Sequence, residues 1–341
     1  MFGLTKGIGI DLGTATVQIC STNKSIVLNE PSVVAHDVNT NEIIAVGSDA
    51  YKMLGRTPTH IQTVRPLRDG VISDCEMTEV MLKLFLQKIR RKGLNRLFKF
   101  DVVVCVPSGV TQVEKRAVRE AIENTTGVHR IELIEESVAA AIGAGIDIAR
   151  PFGTMVVDIG GGTTDVAVIS LGGTVVTESI KVAGDKFDEA IQRYIRKKYN
   201  LLIGERTAEQ AKIQIGEAFP ENPIEEAEIT GRDIATGLPR TIPVSSAEMV
   251  EALEETVSSI AYAVKMVLEQ TPPELAADIC EGGIVMTGGG SMLHGLDQYI
   301  EQQTGVHTYV AEDPVMCVAR GTGITVGELD KFYSSFTDKR K

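Results

Sequence analysis

With 341 residues, 43% of them hydrophobic and 23% charged, the chain is long enough to bury a sizeable core and to divide into two lobes. Its 46 acidic against 34 basic residues give a net charge of -12, the wrong sign for neutralising phosphates, so no nucleic-acid partner is expected. The five cysteines are far apart, with no CxxC and no histidine at metal-ligand spacing, so neither a disulfide framework nor a zinc site is expected, and no apolar run or signal-peptide pattern suggests crossing a membrane, so a cytoplasmic location is expected.

Short β-type runs at 7–11, 15–20, 25–28 and 32–36, separated by Gly, Asn and Pro, predict a meander of hairpins. From 78 to 92, Met81, Leu82, Phe85, Leu86 and Ile89 fall on one helical face, and Gly93 supplies a stop. Residues 101–106 are a β-branched run before Pro107, suited to a buried strand. Thr111 and Glu114 have capping-box spacing and open a helix expected to end near Gly127. After the small, apolar stretch 136–145, Pro151 and Gly153 break the chain and a strand begins at 154–159, which places the lobe boundary near 150. Helices are predicted at 185–199, with Phe187, Ile191 and Ile195 on one face, and at 246–270, halted by Pro272 and Pro273. Between them, 205–243 is charged and interrupted by Pro220, Pro223 and Pro239, and reads as an inserted subdomain of unspecified fold.

Two segments echo each other. Asp11-Leu-Gly-Thr14 and Asp158-Ile-Gly-Gly-Gly-Thr-Thr-Asp165 each follow one apolar strand and precede another, as duplication around a shared cleft would produce. Glycines after a strand let backbone amides approach a phosphate, and threonine hydroxyls can donate to its oxygens. An aspartate in such a turn would repel phosphate unless a cation lay between, so Asp11 and Asp158 imply Mg2+ held largely through its waters. A pair of tight hairpins whose aspartates accept backbone hydrogen bonds would look similar taken singly. A third cluster, Thr287-Gly288-Gly289-Gly290-Ser291, could pass under a purine and its sugar, or be a strand-to-helix turn. No GxxxxGK[ST] or strand-linked GxGxxG is present.

These motifs, with Glu135-Glu136-Ser137 leading into Ala139-Ala140-Ala141-Ile142-Gly143, resemble the phosphate, connecting and adenosine motifs of the actin, heat-shock chaperone and sugar-kinase ATPase superfamily. More narrowly, Leu28-Asn29-Glu30-Pro31-Ser32, Arg65-Pro66-Leu67 and Ile203-Gly204-Glu205-Arg206-Thr207-Ala208-Glu209 are similar to the MreB family, over essentially the whole chain. The resemblance implies an α/β, duplicated actin-like ATPase fold. Its first lobe would span 1–150 with a small insert at about 33–65, its second lobe 151–330 with an insert at about 182–245, and a tail would follow at 331–341.

Carried over by resemblance, Asp11 and Asp158 are the Mg2+-associated carboxylates, and Gly13, Thr14, Ala15, Gly160, Gly161, Gly162 and Thr163 cradle the phosphates of ATP. Glu136 matches the glutamate that orients the attacking water, with Thr164 the second hydrolytic candidate. The physical requirement is a carboxylate able to hold a water in line with the leaving oxygen. A helix-start glutamate would also occur there, and Glu135 is an equally charged neighbour. Ser137 stands where the family commonly has proline. Gly184 and Asp185 match the ribose turn, Gly288, Gly289 and Gly290 the adenosine motif, and Glu209 and Lys212 the adenosine-facing pair, for which a surface ion pair is the alternative.

Residues 88–99 carry six basic and no acidic side chains, with Leu94, Leu97 and Phe98 at the tip. Such a loop suits insertion into an anionic leaflet, as the resemblance also implies; a solvated basic helix end with inward-packed Leu97 and Phe98 is the alternative. Only Met1, Phe2 and Leu4 offer apolar side chains before the first strand, so the loop is expected to carry more of the membrane affinity. The family reading makes the chain a slow ATPase that forms homopolymers, expected as paired protofilaments, on the inner membrane face and works with cell-wall elongation proteins to maintain rod shape. A chaperone ATPase would need a substrate-binding domain, a sugar kinase a general-base aspartate and a sugar pocket, and a binding-only scaffold would hold nucleotide without hydrolysing it.

Overall fold

The computed structural model describes residues 6–23, 25–91, 99–124 and 128–329. The expected helix stops at Gly93 and Gly127, the loop-tip residues Leu94, Leu97 and Phe98, the residues Met1, Phe2 and Leu4, and the tail 331–341 lie outside them. The chain forms two compact units, one from the described parts of Met1–Ala149 and Val315–Lys341, the other from Arg150–Pro314.

In the first unit, β1 (Lys6–Leu12), β2 (Thr16–Ser21) and β3 (Ile26–Pro31) form the predicted meander. A small sheet of β4 (Val34–Asp37), β5 (Ile43–Val46) and, after α1 (Ser48–Met53), β6 (Ile61–Val64) follows, then the two-stranded β7 (Leu67–Arg68) and β8 (Val71–Ile72). Next come α2 (Cys75–Arg91), β9 (Phe100–Val106), α3 (Gln112–Glu123), β10 (Val128–Glu135) and α4 (Glu136–Gly143). The main sheet has the order β10-β9-β1-β2-β3, with β9 and β10 parallel to β1 and β2 and β3 antiparallel neighbours.

Strand alternation explains what covers each face of this sheet. Ile8 and Ile10 point toward Met81, Leu82, Phe85, Leu86 and Ile89 of α2, all buried as the helical spacing predicts. Each such side chain contributes about 1.5–3 kcal/mol when fully buried, and Phe85→Ala would cost about 3–5 kcal/mol. Helix α2 begins before the expected residue 78 because Asp74 Oδ1 accepts from the Met77 amide at 3.0 Å and caps it. The capping box of α3 forms as expected: Thr111 Oγ1 accepts from Glu114 N at 3.2 Å, and Glu114 Oε2 accepts from Thr111 N at 2.7 Å.

The second unit contains β11 (Thr154–Ile159), β12 (Thr164–Ser170), β13 (Gly173–Ile180) and α5 (Gly184–Tyr199). They are followed by β14 (Leu201–Leu202), α6 (Glu205–Ile215), β15 (Glu226–Asp233), β16 (Pro239–Ser245) and α7 (Ser246–Gln270). The unit ends with α8 (Pro273–Gly282), β17 (Ile284–Thr287), α9 (Leu296–Thr304) and β18 (Thr308–Val310). Its sheet has the order β13-β12-β11-β17-β18, and Phe187, Ile191 and Ile195 of α5 and Leu253, Val257 and Val264 of α7 are buried in its core. The inserted segment is α6 beside the three-stranded sheet β14-β15-β16, with Ala208, Ala211 and Ile215 in the same core as Ile229, Ile242 and Val244. Its prolines fit: Pro239 opens β16, and Pro220 and Pro223 lie before β15.

The last described helix, α10 (Cys317–Gly327), departs from the expected assignment of 151–330 to a single lobe, because it packs within the first unit. The reason is steric. A Cβ on Gly9 would lie 2.4 Å from Gly323 N, one on Gly143 1.7 Å from Cys317 O, and one on Gly321 1.8 Å from Ala139 O. Only glycines let α10 lie this close to β1 and α4. No helix among the described residues is long and apolar enough to cross a membrane.

Candidate functional site

The two echoed segments fold alike. In the first unit β1 and β2 pair through Leu12 and Val17, and the Gly13 amide donates to Thr16 O at 3.1 Å. In the second unit β11 and β12 pair through Ile159 and Thr164, and the Gly160 amide donates to Thr163 O at 2.9 Å. Both amides expected to face phosphate are thus spent on the turn. The amides of Thr14, Ala15, Gly161 and Gly162 have no acceptor among the described residues. Thr14 Oγ1 accepts from the Gly70 amide at 3.0 Å, which leaves its hydroxyl proton to donate.

The neighbours of the two aspartates also correspond. Asp11 lies opposite Gln18 on β2, and the parallel strand β9 brings Cys105 beside it, with Sγ 3.3 Å from Asp11 Oδ1. Asp158 lies opposite Asp165 on β12, and parallel β17 aligns Thr287 with it, so that Thr287 Oγ1 donates to Asp158 Oδ1 at 2.6 Å. Burial pushes Asp11 up from 3.8 to about 6, partly offset by the thiol's hydrogen bond. Burial, then the charges of Asp11 and Glu136, push the Cys105 thiol up.

Helix α4 starts at Glu136, directly after β10, and this puts Glu136 rather than its neighbour Glu135 in the group formed with Asp11 and Cys105. Its carboxylate Oε1 is 3.9 Å from Cys105 Sγ. Ser137 is fully buried and its Oγ lies 3.2 Å from Ser108 Oγ, a link that proline would lack. Glu136 lies in the first turn of α4, where the helix dipole favours a carboxylate.

In the second unit the ribose, adenosine and phosphate candidates lie together. The Gly184 and Asp185 amides donate to Gly160 O at 3.1 Å and Gly161 O at 2.8 Å, docking the start of α5 on the turn. Lys212 Nζ donates to Gly184 O at 3.1 Å and pairs with Asp188 Oδ1 at 2.9 Å. Burial pushes Asp188 up to about 6, with Lys212 opposing and Glu209 and Asp185 adding to the rise. Gly288 has φ 81, donates to Pro314 O at 2.9 Å, and has no room for a side chain, since its Cβ would lie 2.3 Å from Ile159 O. Gly290 also approaches Ile159, and Gly289 lies between them, so the third glycine cluster abuts the end of β11. After it, His294 Nδ1 meets Glu217 Oε2 at 2.5 Å, and this partner raises the His294 pKa.

Thr164 is fully buried and its hydroxyl donates to Val182 O at 2.6 Å, so the structure commits its proton to positioning the chain before α5. Sequence reading missed Cys105, Gln18 and Asp188. For the first two the missing information is strand register, which no local pattern carries. Asp188 had a visible signal: it interrupts the apolar face of α5 beside Phe187. Within the first unit the Asp11 carboxylate shares its turn with the open amides of Thr14 and Ala15, and within the second the buried Asp158 carboxylate shares its turn with those of Gly161 and Gly162, near a partly buried Lys212; each set has the hard oxygens and amides that suit magnesium and phosphate.

The sequence profile of the MreB/Mbl protein family matches residues 5–334. The cell shape-determining protein Mbl of Bacillus subtilis (strain 168) is 54% identical over 326 residues, covering 96% of this chain and 97% of that protein. The cell shape-determining protein MreB of Escherichia coli (strain K12) is 49% identical over 330 residues, covering 96% of this chain and 94% of that protein. Among solved structures, MreB 5 of Spiroplasma citri bound to AMPPNP superposes with a TM-score of 0.92 at 40% identity, covering 98% of this chain and 99% of that one. The same protein bound to ADP gives 0.91 at 40% identity, covering 97% and 99% of the two chains. The MamK double helical filament, at 24% identity and TM-score 0.79 over 95% of this chain and 99% of that one, speaks for the fold alone.

Proposed function

The chain belongs to the MreB/Mbl family and has its actin-like fold, and from that premise we propose that it is an ATP-hydrolysing filament protein that determines cell shape. The observation that carries this reading is the pair of matched hairpins, each presenting a carboxylate beside turn amides. Occupancy by ATP and ADP is supported by the AMPPNP- and ADP-bound Spiroplasma citri structures.

In this reading Asp11 and Asp158 anchor Mg2+, which when bound neutralises phosphate charge. Thr14, Ala15 and Gly161 to Thr163 contact phosphate, with Gly13 and Gly160 shaping the two turns, while Gly184, Asp185, Glu209, Lys212 and Gly288 to Gly290 serve the ribose and base. Glu136 holds the attacking water and accepts its proton as the water's oxygen bonds to the γ-phosphorus and the bond from that phosphorus to the bridging oxygen breaks, with ADP leaving. Hydrolysis is a slow timer of the assembled state, coupled to homopolymers of paired protofilaments.

The basic segment 88–99 attaches these filaments to the anionic inner membrane face, where they guide cell-wall elongation proteins. Its support is the charge pattern together with Leu94, Leu97 and Phe98. Many weak contacts along a filament add through effective concentration. Electron microscopy of the purified protein with ATP and anionic liposomes tests the whole reading: filaments on vesicles are expected, and monomers in solution would overturn it. Leu97→Ser with Phe98→Ser should abolish liposome co-sedimentation while ATP binding persists; unaltered pelleting would move the membrane contact elsewhere.

A further inference from the structure

The Asp11 half of the site holds a ligand set that Mg2+ does not call for. Magnesium prefers oxygen and retains its waters, whereas here a buried cysteine lies between two carboxylates. One ligand atom from each of Asp11, Cys105 and Glu136 lies within 4.8 Å of the others. The Cys105 Sγ is 3.3 Å from Asp11 Oδ1 and 3.9 Å from Glu136 Oε1. Tetrahedral zinc, with sulfur at about 2.3 Å and oxygen at about 2.0 Å, separates such ligands by about 3.5 Å, a value these two distances bracket. Small movements of side chains would close the set.

A second observation points to the same place independently. Gln18 is 1% exposed, and neither its Nε2 nor its Oε1 has a hydrogen-bond partner among the described residues. A buried amide left unsatisfied is destabilising, so one of this kind calls for a water or an ion. Gln18 stands directly opposite Asp11 in the antiparallel ladder, and opposed residues leave a sheet on the same face, about 4.5–5.5 Å apart at Cβ. The amide therefore projects beside the Asp11 carboxylate, where its oxygen or a water that it holds can complete a fourth position.

We propose that Asp11, Cys105, Glu136 and Gln18 form a site for a thiophilic divalent cation of the zinc class in the nucleotide-free protein. On binding, the Cys105 S–H bond breaks, its proton leaves to solvent and a sulfur–metal bond forms without any change of oxidation state. The cation occupies the carboxylates that the nucleotide reading assigns to Mg2+ and water, so zinc and ATP-Mg2+ exclude one another. The site shares Asp11 and Glu136 with that reading but does not rest on it.

The test uses the full nucleotide-free chain carrying Cys75→Ser and Cys280→Ser, which removes the two exposed thiols. Zn2+ is titrated by calorimetry and Cd2+ by its thiolate charge-transfer absorption, and ATP-Mg2+ affinity is measured separately. One equivalent of metal and a charge-transfer band are expected, and Cys105→Ser should remove the band and weaken Zn2+ by at least about tenfold, the loss that even an outer-shell change can cause. Added Zn2+ should weaken ATP-Mg2+ binding in the parent but not in Cys105→Ser. If Cys105→Ser does not fold, Asp11→Asn serves in its place and should weaken Zn2+ to a similar degree. Unchanged Zn2+ affinity in whichever variant folds, or the absence of a stoichiometric cadmium band in the parent, overturns the proposal. Intact ATP-Mg2+ binding beside either result leaves the nucleotide reading standing.

Discussion

The Asp11 turn and the Asp158 turn share strand pairing, loop length and the glycine-to-threonine hydrogen bond, yet one carboxylate meets a thiol and the other a hydroxyl. Thr287 is the counterpart of Cys105, each supplied by the strand parallel to the aspartate's own. A hydroxyl at 2.6 Å is a firm donor; a thiol at 3.3 Å is a weak one. Duplication thus preserved the backbone and let the chemistry diverge. The second unit ties its carboxylate to the Thr287 hydroxyl, while the first groups Asp11 with Cys105 and Glu136.

The largest effect should come from that asymmetry. Glu136→Ala is expected to lower ATP hydrolysis by roughly 10- to 1,000-fold with binding nearly intact, measured by phosphate release and calorimetry. If Glu135→Ala gives this phenotype instead, the water-holding carboxylate is its neighbour and the comparison must be redrawn.

Next in size is a contrast between the two turn glycines. A Cβ on Gly13 would lie 2.8 Å from Thr16 O, whereas one on Gly160 would be 3.4 Å from Thr163 O. Gly13→Ala should therefore destabilise by about 1–3 kcal/mol and Gly160→Ala by less than about 1 kcal/mol. Thermal melting of the two variants checks the order; equal losses would show that the two turns are equally tight and that this contrast between them fails.

The smallest effect concerns protons. In the native state burial raises Asp11 from 3.8 to about 6, so the folded protein binds this proton more tightly than the unfolded chain. Asp11's contribution to stability is therefore full below about pH 3.8 and is lost as pH rises through about 6, while ATP-Mg2+ binding, which needs the charged form, strengthens over the same interval. Cys105→Thr copies the second turn's donor into the first. It should lower the Asp11 pKa and shift the pH midpoint of ATP-Mg2+ affinity toward acid; an unmoved midpoint would separate the donor from the titration.

Local patterns made much of this legible. The α2 stripe, the α3 capping box, the length of α7 and both aspartate turns follow from residue spacing within a few turns of chain. What was not legible depends on distant pairing. That Cys105 reaches Asp11 depends on the parallel register of β1 and β9, and that α10 returns to the first unit depends on Gly9, Gly143 and Gly321 meeting backbone far along the chain. Glu136 was readable through its motif, but its companions were not, and Thr164, the second hydrolytic candidate in sequence, spends its proton on Val182.

The central claim is that both aspartate turns serve ATP-Mg2+. Calorimetric titration of ATP-Mg2+ into Asp11→Asn and Asp158→Asn tests it most directly, since each change keeps the side chain's shape and removes its charge. A charge-assisted contact is worth about 1.5–3 kcal/mol, so each variant should lose at least about tenfold in affinity. Wild-type affinity in either variant would contradict the account, because one of the matched turns would then take no part in holding the metal-bound nucleotide.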